Sequence, residues 1–324
     1  MSRDGIPWAT YRRYSRPQDV LLPDGTLPVS SNGRTLIPLD DFSVLVIAHG
    51  RAGHLRRLLA GVDSSLERPA EVVVVYMDDP APAMVSCGVP LRIVHVSSSV
   101  DDAGLPLARA RNAAAAAAKT ENLVFLDVDC IPSAGLFRDL VEVLSSGPVL
   151  AMAEPRYLGK PLGHREPVND ARLRELSVPH HARAGLPPGA VRSLYEMFWS
   201  LGFAVTASGF AQIGGFDEGF SGYGGEDTDF AFRARDAGLW MCFVPAPVFH
   251  QHHGVHKPPL NHFASIIDNA RHFHQRWGSW PMEGWLEAFA RLGLVDWNPD
   301  GENLTVRRTP SPAEVEAARS LAPY

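Results

Sequence analysis

Acidic residues follow a glycine-rich turn in the run GGFDEGFSGYGGEDTDFAFRARDAG, at positions 214–238. The apolar spacing after Glu226 and Asp227 predicts a short amphipathic helix, so both carboxylates would stand in its first turn. Capping of that helix requires only one acid. The upstream glycines let a backbone approach a flat polar ligand, and aromatic side chains such as Tyr223 can cover its faces. The combination favours a sugar-binding site over helix capping alone.

A second pair of acids, Asp127 and Asp129, ends the apolar run NLVFLDVD at positions 122–129. Because side chains alternate along a strand, a strand over this whole run would place both carboxylates on the same side. Two hard oxygen donors at the end of a sheet strand suit Mg²⁺ or Mn²⁺, which would also bind diphosphate oxygens. An acid at a strand end is also common in turns. The first acidic motif, Glu226 and Asp227, is what favours a metal site here.

Histidines are concentrated in the run HQHH at positions 250–253, after a strand predicted over 240–244. A neutral imidazole is a borderline ligand that can complete a metal site begun by carboxylates. The alternative, for most of these histidines, is an ordinary surface or core position.

These side chains need a scaffold, and the sequence predicts an α/β fold. The spacing of Leu55, Leu58 and Val62 is typical of a helix that packs on a sheet. Apolar runs of strand length lie on both sides of it, and the predicted strands span residues 42–47, 71–76, 91–96, 122–129 and 148–153. A strand, a helix and a strand within a few dozen residues indicate a right-handed βαβ unit. We therefore expect a mostly parallel central sheet flanked by helices.

Polar residues follow the first two predicted strands. His49 and Arg51 come after the first strand, and Asp78 and Asp79 come after the second. Ligands of open α/β sheets bind beyond the carboxyl ends of the strands, so these residues lie where a nucleotide would bind. Turn formation before Pro80 explains the two acids equally well.

Together these motifs resemble those of glycosyltransferases with the nucleotide-sugar (GT-A) fold. The resemblance is carried by ARN at 110–112, DVD at 127–129, GGFDE at 214–218 and GGED at 224–227, and it covers roughly residues 42–255. It is closest to the family 2 enzymes, with the C-terminal motif of the β-1,4-galactosyltransferases. It implies a GT-A (Rossmann-like) fold, a nucleotide-sugar donor and a saccharide or other hydroxyl acceptor.

The resemblance also implies roles for residues around the donor. Ala48, His49 and Asp78 match the positions that hold the base and the ribose. Arg111 and Asn112 correspond to the region in which an arginine approaches the nucleotide diphosphate. Together with Arg51, these residues form the predicted nucleotide-sugar site.

The resemblance assigns the metal, Mn²⁺ or Mg²⁺, to the second acidic motif and to a histidine after the last core strand. Asp127 and Asp129 would be the carboxylate ligands, and Asp127 would also contact the donor. His250 is the predicted histidine ligand, with His252 or His253 as alternatives.

We predict from these residues a metal-dependent, inverting glycosyltransferase with a UDP-linked donor. Asp227 would be the general base that accepts the proton of the acceptor hydroxyl. Acceptor binding is assigned to neighbouring residues of the glycine-rich stretch, namely Glu226, Asp217, Tyr223 and Gly225. The positive end of the helix dipole is expected to keep Asp227 ionised.

Two other functions stay open from the sequence. A catalytically inactive carbohydrate- or nucleotide-binding protein could use the same fold, but it has no need for both acidic motifs. A sugar nucleotidyltransferase normally carries a glycine-rich, basic phosphate loop near its N-terminus. The run AHGRAGH at 48–54 is a poor version of such a loop.

Composition limits the partners and the compartment. A formal net charge of -6 and a pI near 6.1 give no bulk attraction to nucleic acid or to an anionic membrane. The three cysteines lack the spacing of a zinc site or a disulfide framework. No apolar leader and no run of 18 uncharged apolar residues occurs. We therefore expect a cytoplasmic protein without a transmembrane segment; docking on a membrane surface and assembly into a homo-oligomer stay open.

The chain is predicted to divide into three parts. Residues 1–40 form an N-terminal arm, residues 41–258 the glycosyltransferase domain and residues 259–324 a helical C-terminal extension. Within the domain, residues 154–190 are polar and weakly periodic, which is typical of a mobile lid or a variable loop.

Overall fold

The structure is a computed structural model that describes residues 41–79, 85–99, 104–163, 166, 168–183, 189–191 and 193–321. The predicted N-terminal arm, residues 1–40, lies outside the described residues.

Among the described residues, ten strands form one large sheet, and its central strands are mostly apolar. They are β1 (Phe42–Ala48), β2 (Glu71–Met77), β3 (Leu91–Val96), β4 (Asn122–Asp127), β5 (Cys130–Pro132), β6 (Val149–Leu158), β7 (Ser177–Pro179), β8 (Gly189–Val191), β9 (Gly202–Thr206) and β10 (Trp240–His250). All seven residues of β1 and of β2 are buried. Burial on both faces explains why these strands lack the alternation of a half-exposed strand.

The main path of the sheet has the order β3-β2-β1-β4-β9-β6-β10-β5. Six of these eight strands run in the same direction, while β9 and β5 run the other way. β7 pairs with β6 and β8 pairs with β10, both antiparallel. The predicted α/β fold with a mostly parallel sheet is confirmed.

Helices cover both faces of this sheet. They are α1 (Ala52–Asp63), α2 (Leu107–Ala117), α3 (Leu136–Leu144), α4 (Asp170–Leu176), α5 (Ala207–Ile213) and α6 (Glu226–Asp236). α1 and α3 pack on one face. α2, α5 and α6 pack on the other. The alanines of α2 are small enough to let this helix lie close to the sheet, and Ala110 and Ala114 are fully buried.

The region 154–190 is more regular than predicted. β6 continues to Leu158, and α4 packs through Leu173 into a small cluster that also contains Phe249. Pairing of β7 and β8 with neighbouring strands supplies order that local periodicity in the sequence does not reveal. A lid function for this region stays a prediction.

The chain after β10 forms an apolar cluster that is separate from those on the two faces of the sheet. Its elements are β11 (Val255–His256), α7 (Phe263–Trp277), α8 (Glu283–Arg291), β12 (Val295–Trp297), β13 (Leu304–Val306), α9 (Pro312–Ala317) and β14 (Arg319–Ser320). Ile266, Leu286 and Phe289 are fully buried in this cluster, and Tyr223 of the glycine-rich stretch packs against it. Among the residues described, no helix combines the length and the hydrophobicity needed to cross a bilayer.

Candidate active site

The carboxyl ends of β1, β2 and β4 meet at one edge of the sheet. Ala48 is the buried last residue of β1 and pairs with Tyr76, while Ile47 pairs with Asp127. His49 follows, and its Nδ1 lies 2.7 Å from the Met77 carbonyl oxygen. The predicted nucleotide-binding residues of these strands are therefore neighbours.

Asp78 stands at this edge with a positive φ of 53°. Its carboxylate accepts hydrogen bonds from the hydroxyl and the backbone N–H of Ser98, and these bonds lower the pKa of Asp78. Next to it, Asp79 lies 3.3 Å from His49 Nδ1 and accepts a hydrogen bond from the Gly50 N–H. The turn that the sequence allowed is thus formed, and both carboxylates stay at the sheet edge.

Arg111 of α2 brings the two acidic motifs together. Its side chain is 4% exposed, and its guanidinium donates to Asp127 Oδ1 at 3.1 Å and to Glu226 Oε1 at 3.2 Å. It also lies over the Phe216 ring, 5.2 Å from the centroid. Asp127, which ends β4, and Glu226, which begins α6, therefore share one cation.

Replacement of Arg111 with methionine is expected to lower the free energy of unfolding by about 3 kcal/mol, because the buried Glu226 and the partly exposed Asp127 lose their shared, buried cation. Urea denaturation followed by circular dichroism measures this loss. Arg109→Met on the same helix is the matched control. Arg109 pairs with Glu218 at 3.3 Å, and the two side chains are 33% and 47% exposed. Its loss should cost below about 1 kcal/mol, and equal losses in both variants would contradict the proposed role of Arg111.

Asp129 lies outside the strand that was predicted to hold it. β4 ends at Asp127, and Asp129 belongs to the turn before β5. Strand alternation therefore does not set the positions of both carboxylates, and the inference that it places them on the same side was wrong. Asp127 faces Arg111, whereas Asp129 accepts a hydrogen bond from Arg51, the residue before α1.

Asp129 and two histidines form a group that could hold a metal ion. One ligand atom from each of Asp129, His250 and His253 lies within 4.8 Å of the others. His253 Nε2 is 3.3 Å from Asp129 Oδ2, and His250 Nε2 is 3.7 Å from Asp129 Oδ1. His252 is directed elsewhere, since its Nε2 lies 2.7 Å from the Leu321 carbonyl oxygen. The structure thus groups His250 with one of its two alternatives, His253.

The register of two strands creates this group. His250, the last residue of β10, pairs with Cys130 of β5, so it lies next to Asp129. Gln251 then donates its backbone N–H to the Asp129 carbonyl at 2.7 Å and its side-chain amide to the His54 carbonyl at 3.0 Å. This buried glutamine connects the Asp129 turn with α1.

The charges of the group suit a cation. Burial opposes ionisation of Asp129, but His250, His253 and Arg51 outweigh it and lower the pKa of that carboxyl. Burial lowers the pKa of His250 to about 4, so its ring is neutral at pH 7 and can donate a lone pair. One carboxylate and two imidazoles fit a divalent transition metal.

Asp227 stands in the first turn of α6 as its second residue, after Gly224, Gly225 and Glu226. Gly225 precedes the helix with a φ of 88°, and Thr228 donates its backbone N–H to Asp227 Oδ1 at 2.8 Å. Burial and the neighbouring Glu226 raise the pKa of Asp227 to about 7. The expectation that the helix dipole keeps this carboxyl ionised was wrong, because burial and a second acid outweigh the dipole.

Glu226 is 6% exposed, and only one of its carboxylate oxygens is paired within the described residues. Oε1 meets Arg111, whereas Oε2 is buried without a hydrogen-bond partner there. A buried carboxylate oxygen of this kind is costly unless a donor reaches it. A ligand hydroxyl would satisfy it.

Two family models match the segments that carry these residues. The model for glycosyl transferase family 2 matches residues 43–203, and one described as the N-terminal domain of galactosyltransferase matches residues 180–257. The structure also shares its fold with residues 1–349 of TarS from S. aureus, with a TM-score of 0.50, 15% identity and coverage of 71% of this chain and 64% of that one. These matches show a glycosyltransferase with the GT-A fold.

Curated relatives of this glycosyltransferase carry matching names. It is 26% identical over 249 residues to a validoxylamine A glucosyltransferase from Streptomyces hygroscopicus subsp. limoneus, covering 68% of this chain and 52% of the relative. It is 27% identical over 225 residues to a pre-mycofactocin glycosyltransferase from Mycobacterium tuberculosis, covering 65% and 43%. The chain spans about half the length of the curated relatives it matches.

Some predicted residues of this glycosyltransferase mainly contact protein. Asp217 is paired with His272 at 2.9 Å and with Arg276 at 2.7 Å, and these partners overcome burial and lower the pKa of Asp217 to about 2. Asn112 exchanges hydrogen bonds with the backbone of Phe216, at 2.8 and 2.9 Å. Both contacts fix the GGFDE segment.

Tyr223, predicted to cover a sugar face, is stacked with two rings of the C-terminal extension. The centroid of the Tyr223 ring lies 4.7 Å from that of the His262 ring and 5.6 Å from that of the Trp285 ring. Two further residues of the extension, Asn269 and Arg276, reach the glycine-rich stretch, and neither lies in a recognisable motif. Their part in the site depends on contacts across more than 40 positions of the chain.

Proposed function

We propose that this glycosyltransferase moves a sugar from a nucleotide-sugar donor, UDP-linked, to a hydroxyl acceptor with inversion at the anomeric carbon. The observation that carries the proposal is the contact of one Arg111 guanidinium with both Asp127 and Glu226. It supports a single site in which a donor at the sheet edge and an acceptor at α6 meet. Residues 41–258 are proposed to form the catalytic domain and residues 259–324 an extension that contributes to it.

On the donor side, the nucleotide is proposed to bind beyond the carboxyl ends of β1 and β2. His49 and Asp78 stand there, at the sheet positions that favour nucleotide binding. Arg51 lies between this edge and Asp129, within reach of a diphosphate. Asp127 lies beside Arg111, whose cation favours the same diphosphate.

Mn²⁺ or Mg²⁺ is proposed to bind at Asp129, His250 and His253. A divalent cation in this position supplies Lewis-acid stabilisation of the negative charge on a departing diphosphate. The donor set supports this assignment, since Asp129 is held ionised and the buried ring of His250 is neutral. A reducing, cytoplasmic compartment is proposed from the free thiols of Cys87, Cys130 and Cys242.

On the acceptor side, Asp227 is proposed to accept the proton of the acceptor hydroxyl. The hydroxyl oxygen then forms the new bond to the anomeric carbon, and the bond to the diphosphate oxygen breaks with its electron pair on the leaving group. Attack from the face opposite the diphosphate inverts the configuration. A pKa of about 7 makes Asp227 a stronger base than an ordinary carboxylate. The Oε2 of Glu226, which has no hydrogen-bond partner among the described residues, is proposed to accept a hydrogen bond from the acceptor.

Purified protein with Mn²⁺ is expected to release UDP from one member of a panel of UDP-glucose, UDP-galactose and UDP-N-acetylhexosamines when a 4-nitrophenyl glycoside is added. Glucose is included because one relative is named a glucosyltransferase. Mass spectrometry identifies the product, and proton NMR of the new anomeric centre reports inversion.

Two results would overturn the proposal in different directions. Stabilisation by a UDP-sugar in a thermal-shift assay, with no UDP release for any acceptor, would indicate a binding protein without catalysis. Release of pyrophosphate from UTP and a sugar 1-phosphate would indicate a nucleotidyltransferase.

A further inference from the structure

Asn269 of α7 is bound to the backbone of the glycine-rich stretch just before the acids of α6. Its Oδ1 accepts from the Ser221 N–H at 3.2 Å, and its Nδ2 is within 3.0 Å of the Ser221 carbonyl, 3.4 Å of the Tyr223 carbonyl and 2.9 Å of the Gly224 carbonyl. The side chain is 2% exposed. One buried amide thus fixes residues 221–224, which we term the acceptor loop.

The surroundings of Asn269 show how closely α7 fits this loop. Ser265, one helical turn earlier, accepts a hydrogen bond from the Tyr223 N–H at 3.3 Å. Gly222 has a φ of 73°, and a Cβ added to it would lie 2.6 Å from the Ser265 Cβ. Only a glycine leaves room for α7 at this point, so the loop and the helix are matched in shape as well as in hydrogen bonding.

The glycines in and next to the acceptor loop do not by themselves favour the observed backbone conformation. Gly222, Gly224 and Gly225 all have positive φ values, which glycine adopts without strain but does not favour over other conformations. Asp227 follows the loop by three residues, and its position relative to Arg111 and Asp127 depends on where the loop delivers the chain into α6. A base must lie within hydrogen-bonding reach of the hydroxyl that it deprotonates.

We propose that Asn269 is a positioning residue for sugar transfer: it sets the acceptor loop and, through it, the alignment of the acceptor with Asp227. The inference rests on the proposed function and goes beyond it by making α7 a part of the acceptor site. Within the part of the chain that the structure describes, the hydrogen bonds of Asn269 go to the acceptor loop and not to the donor edge of the sheet or the Asp129 group, so we expect its effect to be confined to the acceptor.

Asn269→Ala tests this from the helix side, and Gly222→Ala tests it from the loop side. Both variants are expected to lower kcat/KM for a 4-nitrophenyl glycoside by about 100-fold, because a displaced acceptor loses alignment with the base. The KM of the glycoside should rise along with the fall in kcat. The affinity for UDP with Mn²⁺, measured by calorimetry, should stay within about twofold, because β1, β2 and β4 are untouched. Asp268→Ala is the matched control, since its side chain is 65% exposed on the same helix.

Hydrogen exchange supplies a readout that needs no substrate. The Ser221 amide is expected to exchange faster in Asn269→Ala, while the amides of β4 keep their protection. Unchanged exchange at Ser221, or unchanged kcat/KM in both variants, overturns the inference. Parallel loss of UDP affinity, glycoside turnover and thermal stability in both variants also overturns it, because this indicates a general structural role. If the wild-type enzyme transfers no sugar, the proposed function fails, and exchange alone then decides whether Asn269 holds the loop.

Discussion

Replacement of Asp227 with asparagine is expected to reduce sugar transfer by about 1,000-fold, because the amide cannot accept the proton of the acceptor hydroxyl. Binding of UDP with Mn²⁺ should be unchanged, since Asp227 lies in the first turn of α6 and not on the strands β1, β2 and β4 or in the Asp129 group. Steady-state kinetics with saturating UDP-sugar measures the first quantity, and calorimetry with UDP measures the second. Equal loss of sugar transfer and of UDP binding would indicate that Asp227 has a structural role and not a catalytic one.

Asp229→Asn is the matched control for this experiment. Asp229 is fully buried two residues further along α6, and it accepts hydrogen bonds from Arg233 at 2.8 Å, Arg276 at 2.7 Å and the Trp277 indole at 3.0 Å. Loss of its charge leaves two arginines without their shared partner, and the expected cost is about 3 kcal/mol of folding free energy. The two variants should therefore separate: Asp227→Asn loses activity at full stability, and Asp229→Asn loses stability.

The raised pKa of Asp227 gives the same site a pH dependence of known sign. The active base is the ionised form, so kcat/KM should rise about tenfold per pH unit below the pKa of about 7 and level off above it. For stability the sign is opposite. The folded state binds its proton up to about pH 7 and the unfolded state only up to about pH 4, so the ionised carboxylate increasingly destabilises the fold across that window. Asp227→Asn should remove this loss, and its Tm should exceed that of the wild type most clearly near pH 8.

Loss of the metal group is the second large effect that we expect. Asp129→Asn and His253→Ala should each weaken Mn²⁺ binding by about 100-fold or more, because each removes a donor atom. Calorimetry with Mn²⁺ alone measures this directly. In the wild type, a chelator should abolish transfer, and excess Mn²⁺ or Mg²⁺ should restore it.

His252→Ala tells the metal group apart from the histidine-rich sequence around it. His252 adjoins His253 in the chain, but its Nε2 contacts the Leu321 carbonyl instead of Asp129. The Mn²⁺ affinity of the His252→Ala variant should equal that of the wild type. Full turnover in the presence of chelator, or a loss of Mn²⁺ binding in His252→Ala comparable to that in His253→Ala, would contradict the assignment.

Much of the fold follows from local pattern. The first strand was expected at 42–47 and is observed at Phe42–Ala48. A short run of consecutive apolar residues is typical of a strand that is buried on both faces. The proximity of Asp127 and Glu226 was also predictable, through motifs whose spacing resembles a known fold. In each case the signal lies in a short stretch of chain.

What escaped prediction depends on contacts between distant stretches. The choice of His253 over His252 follows from the register of β10 on β5, which no single segment encodes. The raised pKa of Asp227 depends on burial in the fold and on the neighbouring Glu226, and the proposed role of Asn269 depends on how α7 packs. An asparagine inside an amphipathic helix has no local feature that separates a structural amide from a functional one.

The proposed donor and acceptor sites are held by different parts of the protein, and this has a practical consequence for engineering. The proposed donor and metal ligands are anchored on β1, β4 and β10, whereas the acceptor loop is held by α7. Directed evolution toward new acceptors can therefore concentrate its libraries on α7, on α8 and on the loop they hold. Such libraries would leave the proposed donor and metal ligands unchanged. A wider range of acceptors should therefore be reachable without a loss of turnover.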